Sequence, residues 1–432
     1  MKKKTFLLNN YFKCLCSFAL GFIFYLFFVA IFNRSLADYD LWGYLSFGRI
    51  FWEEGFFPYR DIFSYIPTKP LWVYHEWLTG VVFFGLIKYF GPASLQLFRY
   101  VFALLTIYLI FLTAIRRGGS IFHTLVIIVP SIVLISFGYF PVRAQVFTFF
   151  FFILTLYILE YVKKTEKVTI LRWLPLIQIF WCNLHGGFIS GLGLIFLYAL
   201  GEGFSRRNTA VYYAKWGVIA TLATLLNPYG IEYWSYTIHA VLMPRPEITE
   251  WYSVVTALKS NVYVFPVALF LLMSLLILLG FLIRRKKDVT ELLVIAAVIY
   301  LGSVHVRHGV LFGLVLGAYA PVFLTERAHE WNSRRHSFNH LINLSAVVFS
   351  SLLIITYFHF FSIKQIHYIP SFKFSVTGDY YPTKAIRWMK TNNVKGNILP
   401  HFDWGEYLIW SCYPDCRVAM DGRFETVYQD NL

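Results

Sequence analysis

Charge is what this chain has least of. Asp, Glu, Lys and Arg make up 14% of its 432 residues, where a water-soluble protein carries about a quarter. That shortfall excludes an ordinary soluble enzyme. Acid is scarcer still, with 23 Asp and Glu against 38 Lys and Arg and a net charge of +15. The basic excess does not point to nucleic acid, because it falls in short clusters between apolar runs, as in the cytoplasmic loops of membrane proteins. Cysteine is also sparse. Five (Cys14, Cys16, Cys182, Cys412 and Cys416) make no disulfide framework. Only Cys412 and Cys416 lie close together outside the apolar runs, and in an oxidising outer space those two could pair.

What is abundant is apolar and aromatic sequence, 58% and 20% of the chain, with a mean hydropathy of +0.58. Apolar runs of roughly 18 residues or more read as membrane spans. The expected architecture is therefore an all-α polytopic membrane protein. The aromatics are mostly lipid-facing bulk and interfacial belts. The opening "MKKKTFLLNNYFKCLCSFALGFIFYLFFVAIF" is longer than a signal-peptide core and reads as an uncleaved first span, with cleavage after Ser35-Leu36-Ala37 as the alternative. Eleven spans are expected, near 12–33, 93–115, 121–138, 145–162, 170–185, 187–204, 211–227, 262–283, 289–305, 309–325 and 341–361. The segment 76–90 would reach only about 22 Å as a helix, short of a hydrocarbon core of roughly 30 Å.

Charge orients these spans. With Lys2, Lys3 and Lys4 inside and 76–90 left on the outer side, the later basic clusters all fall inside: Arg116/Arg117, Lys163/Lys164/Lys167, Arg206/Arg207, Arg284 to Lys287 and Arg334/Arg335. An extra crossing at 76–90 would turn every one outward. The expected location is the inner (cytoplasmic) cell membrane, with a cytoplasmic amino terminus and residues 1–363 as the membrane domain. Residues 364–432 form a soluble extracytoplasmic segment, and the chain is possibly incomplete at its end. In that segment "PTKAIRWMK" reads as a helix opened by Pro382, and "NILP" and "RVAM" as short strands, giving a small α/β piece.

The same topology gathers the polar motifs on the outer face. The first outer loop, 34–92, is long for a mere connection. It opens on "DYDLWGY", where Asp38 and Asp40 flank Tyr39. In an extended segment both carboxylates share one side. There they could take a proton from an attacking hydroxyl or hold a divalent cation such as Mg or Mn through oxygens; a solvated loop end is the plainer alternative. Residues 41–55 show a roughly helical apolar pattern suited to an amphipathic helix in the interface. Asp61, His75 and Glu76 follow on the same surface. The cations facing them are Arg143 in "PVRAQ", Arg245 in "PRPEITEW", and Arg307 and His308 in "HVRHG", with His185 in "NLHGGF". Arginine's planar fork suits phosphate, whereas a lone histidine equally suits a satisfied helix end. Together these groups fit a lipid-phosphate-linked sugar. Asp40 would take a proton from the acceptor hydroxyl, and Arg143, Arg307 or His308 would neutralise the leaving phosphate.

These motifs resemble the GT-C superfamily of integral membrane glycosyltransferases. "DYDLWGYLSFG", "RDIFSY", "HEW", "VRAQVFTF", "NLHGGF" and "NPYG" are similar to a bacterial and archaeal multi-span group within it, and "FDWGEYLIW…RVAMDGRFE" to the start of that group's outer tail. The resemblance implies a glycosyltransferase that draws on a polyprenyl-phosphate-linked donor and an extracytoplasmic acceptor (lipid, glycan or protein) in the cell envelope. It implies Asp40 as the base, with Asp38 second. Leu41 and Tyr44 depart from the pattern, which leaves the metal open. A lipid-linked sugar transporter or flippase, or a polysaccharide polymerase or ligase of another membrane class, are the competing readings.

Overall fold

The computed structural model describes residues 37–139, 142–205, 207–246, 248–332, 348, 350–352, 376, 378 and 380–429. The chain is mostly helical. Among the described residues five helical stretches are long and apolar enough to cross a membrane: Ala93–Arg117 (α3), Ile121–Tyr139 (α4), Gln145–Thr165 (α5), Val264–Ile283 (α11) and Val306–Glu330, which contains most of α13 (Gly309–Asn332). This makes the chain a membrane protein of the all-α kind. Shorter apolar helices stand at Trp77–Phe90 (α2), Leu174–Leu184 (α6), Phe188–Phe204 (α7) and Val289–Val304 (α12). A further helix, Thr209–Ala223 (α8), occupies the expected seventh span. The expected spans at 12–33 and 341–361 lie outside the described residues, save 348 and 350–352.

Burial separates central helices from peripheral ones. The most apolar window of the Val306–Glu330 stretch is 89% buried, against 44% for α3 and 39% for α11. Helix α13 is therefore the axis, with α3, α4 and α12 packed on it. Small residues let α4 approach it closely, and Ser131 Oγ donates to the Gly313 carbonyl at 2.7 Å.

A second core sits beyond the bundle end. Residues of the first loop, the ends of α5 and α6 and the C-terminal segment share it, among them Leu41, Phe47, Trp72, Phe147, Leu184, Leu408, Val418 and Tyr428. About 70 residues would make a marginal core by themselves, and here the segment borrows the loop's. Helix α1 (Leu41–Arg49) crosses α2 backbone to backbone, because a Cβ on Gly48 would collide with the Gly80 carbonyl. The other side of α1 is covered by α15 (Gly405–Cys412). The loop helix is thus buried from Leu41 to Gly48 rather than apolar on one face only.

The expected helix and strands of the segment appear as α14 (Thr383–Thr391), β1 (Gly396–Ile398) and β2 (Cys416–Val418). The strands pair in parallel. The first loop extends the ladder: Val418 N–H donates to the Phe63 carbonyl at 3.0 Å, and Tyr65 N–H to the Val418 carbonyl at 3.1 Å. Cys412 and Cys416 are free buried thiols, so the pairing considered for them is not made.

Candidate functional site

The Asp38–Asp40 pair forms a turn rather than an extended strand. Asp38 Oδ1 accepts the Asp40 N–H at 3.1 Å, and Asp40 already has helical dihedrals (φ −69°, ψ −19°) at the N-cap of α1. Both carboxylates nevertheless reach Arg143, which the short connection between α4 and α5 presents. Its Nε lies 3.0 Å from Asp38 Oδ1 and 3.1 Å from Asp40 Oδ2, and its Nη2 also pairs with Asp40. Glu250 continues the network, 3.4 Å from Arg143 Nη1 and 3.0 Å from Arg307 Nη1. The Asp40 side chain is 35% exposed against 16% for Asp38, so Asp40 is the more open acid of the pair.

Electrostatics separates these acids. Burial pushes the Asp38 carboxyl up to about 7, against the pull of Arg143. Burial would raise Glu250 as well, but Arg307 and Arg143 hold it below its usual range. The Asp38, Asp40 and Glu250 carboxylates keep Arg143 charged despite its own burial.

Glu76 forms an adjoining centre. Its Oε1 lies 3.4 Å from His185 Nε2 and 3.6 Å from His75 Nε2, and Tyr44 hydrogen-bonds to the carboxylate. Gly187 N–H donates to His185 Nδ1 at 2.9 Å. His185 is therefore neutral with its hydrogen on Nε2, aimed at Glu76. Thr148 and Trp181 brace it: Thr148 Oγ1 lies 2.7 Å from Nδ1 and accepts the Trp181 indole N–H at 2.8 Å. Tyr236 OH lies 3.1 Å from His75 Nδ1.

The other expected site residues do different work. Asp61 is enclosed, accepting Ser64 N–H at 2.7 Å and pairing with Arg423 Nη1 at 2.5 Å. Arg423 also binds Asp421 through Nε (2.8 Å) and Nη2 (2.7 Å), and lies 5.0 Å over both Phe63 and Trp72. Asp61 thus ties the first loop to the C-terminal segment. Arg245 pairs with Glu425 at 3.1 Å and, like Arg307, lies over the Trp251 ring. His308 stands edge-on to Trp251 and His305, with its Nδ1 buried and without a hydrogen-bond partner among the described residues. As a cation site the Asp38–Asp40 pair does not fit in this arrangement, because the Arg143 guanidinium occupies the position between the carboxylates. Among the described residues no group of three or more His, Cys, Asp or Glu is arranged to hold a metal.

Three groups were not singled out from sequence. Glu250 bridges the two arginines. Glu406, from α15, is 4% exposed and accepts Gly43 N–H at 2.8 Å; burial, with Asp40 and Asp421 nearby, raises its pKa well above the usual range. The third is a network at the opposite end of the bundle, where the loops read as little beyond basic residues. Arg117 pairs there with Glu160 and with Glu291 (2.5 Å), Arg284 with Glu291 (2.5 Å) and Glu326 (2.7 Å), and Lys163 with Asp288 (2.6 Å) and Glu202 (3.0 Å).

The fold and these clusters define the class, a helical membrane protein with a carboxylate- and arginine-rich cluster between its bundle and its C-terminal segment. No family model matches the chain, and no curated protein matches it.

Proposed function

We propose that this protein is a glycosyltransferase of the GT-C kind, moving a sugar from a polyprenyl-phosphate-linked donor to an extracytoplasmic acceptor. One observation carries the reading: the most accessible acid of the site, Asp40, belongs to the same network as Arg143, Glu250 and Arg307. A proton acceptor and cations for phosphate thus stand side by side at the membrane end of a bundle. The acceptor oxygen attacks the anomeric carbon and loses its proton to Asp40, while the carbon–oxygen bond to phosphate breaks. Arg307, whose side chain is 21% exposed, faces the charge that develops on the leaving lipid phosphate. Asp38 and Glu250 hold Arg143, and Glu76 with His75 and His185 offers hydrogen bonds to sugar hydroxyls. Eleven spans, an outer site and a cytoplasmic amino terminus belong to the same proposal.

The test uses the full chain in nanodiscs with tritiated polyprenyl-phosphate hexoses and a cell-envelope acceptor fraction. Transfer and release of polyprenyl phosphate are expected, and D40N should lower turnover by about 10²-fold or more without loss of folded protein. Wild-type transfer by D40N would overturn the assignment. Movement of the labelled lipid between leaflets with no transfer would replace it with a flippase.

A further inference from the structure

An Asp at a helix N-cap ordinarily turns its carboxylate back onto the N–H of the second or third helical residue. Asp40 occupies that position in α1 and makes no such bond. The third helical residue is Gly43, and its N–H is taken instead by Glu406 Oε2 at 2.8 Å, from 363 residues further along the chain. The fit is close. A Cβ on Gly43 would run into Glu406 Oε2, and one on Gly422 would come within 2.8 Å of Glu406 Oε1 and 3.7 Å of Asp40 Oδ1. Glu406 is fixed from behind as well, since α15 packs on α1, Arg49 Nη1 donates to the Trp410 carbonyl at 3.1 Å and Tyr381 OH to the Ala37 carbonyl at 2.9 Å.

We infer that Glu406 is a positioning residue for Asp40: by capping α1 in its place, the C-terminal segment releases the Asp40 carboxylate to face Arg143 and the ligand. Without Glu406, the orphaned Gly43 N–H needs another acceptor, and the N-cap carboxylate, Asp40, is the one its position in the helix offers. The acid then leaves Arg143. A neutral side chain of the same length suffices for the cap, because the bond needs only an oxygen at that reach.

Electron cryo-microscopy of the full chain in nanodiscs tests this directly. In E406A the Asp40 carboxylate should stand within hydrogen-bond distance of Gly43 N–H and away from Arg143, whereas E406Q should keep the wild-type arrangement. Transfer from a polyprenyl-phosphate hexose should fall at least about tenfold in E406A and largely recover in E406Q. An Asp40 that stays on Arg143 in E406A overturns the inference. If E406A cannot be recovered folded, E406D decides in the same way, since it keeps the charge but withdraws the oxygen by about 1.5 Å. The activity arm rests on the proposed role of Asp40; the structural arm does not. Full activity in D40N would sink that role alone, and an unmoved Asp40 would sink this inference alone.

Discussion

The two ends of the bundle both bury charge, and they differ in balance. At the Arg117 end each acid has a cation against it, with Glu160, Glu202, Asp288, Glu291 and Glu326 facing Arg117, Lys163, Arg207 and Arg284. Tyr198 and Thr290 supply further hydrogen bonds to Glu160 and Glu202. Such a network fixes how helices sit against one another, and it is costly to break and has little left to offer a ligand. At the Asp38 end Asp38, Asp40 and Glu250 share Arg143, with Arg307 also on Glu250, while Glu76 meets only histidines and Glu406 a backbone N–H. Unbalanced charge with shifted titration is where chemistry is found. Charge content alone does not mark a site; an unmet remainder does.

The sharpest way to break this comparison is Arg117→Met. It strands Glu160 and leaves Glu291 with Arg284 alone, and unfolding should become easier by about 3–5 kcal/mol, read as a lowered midpoint in denaturant or heat. A variant that kept its stability and lost transfer would show that this end is reactive too. Next comes D40N, expected to lose about 10²-fold in turnover with its thermal midpoint close to wild type. Glu250→Gln uncouples Arg143 from Arg307, and turnover should drop about tenfold, equivalent to ~1.4 kcal/mol, with less change in stability than Arg117→Met. A Glu250→Gln enzyme at full rate would detach Arg307 from the site.

The smallest effect is on pH dependence. Asp38 is raised from 3.8 to about 7 in the fold. A raised carboxyl stabilises the fold fully below its unfolded pKa, and that contribution disappears as pH rises through the folded one. Thermal midpoints of the wild type should therefore decline between about pH 4 and 7 more steeply than those of D38N. Parallel curves would mean that Asp38 is ionised throughout.

Much of the helical frame was legible because apolar runs leave few alternatives. The stretches 93–115, 121–138, 145–162 and 262–283 became α3, α4, α5 and α11, with ends within a few residues of those expected. Asp38, Asp40 and Arg143 were legible as ionisable groups at span ends. Their meeting was not, since residues 38 and 143 touch only through the path of four helices, α1 to α4. The extended geometry expected for the Asp pair failed for a local reason: an Asp side chain that accepts the N–H two residues on makes a turn. Glu160, Glu202 and Glu291 went unremarked because one acid inside an apolar run barely alters its hydropathy, while only the fold shows which cation stands opposite. Glu406 and Arg423 escaped for the opposite reason. They lie in a polar stretch where acids and bases are ordinary, and their first-loop partners, Gly43 and Asp61, are more than 360 residues away.

The strand ladder between Phe63, Tyr65 and Val418 bears on how the protein is made. A ribosome finishes the first loop long before it reaches the residues that complete the ladder and cap α1. Until then the loop lacks half of its core and must wait unpaired, while the whole bundle is threaded into the bilayer. Closing so long a loop is slow relative to neighbouring contacts, so the Asp38 end is assembled last. A nascent chain interrupted before residue 405 would lack both the residue that caps α1 and the strand that completes the ladder.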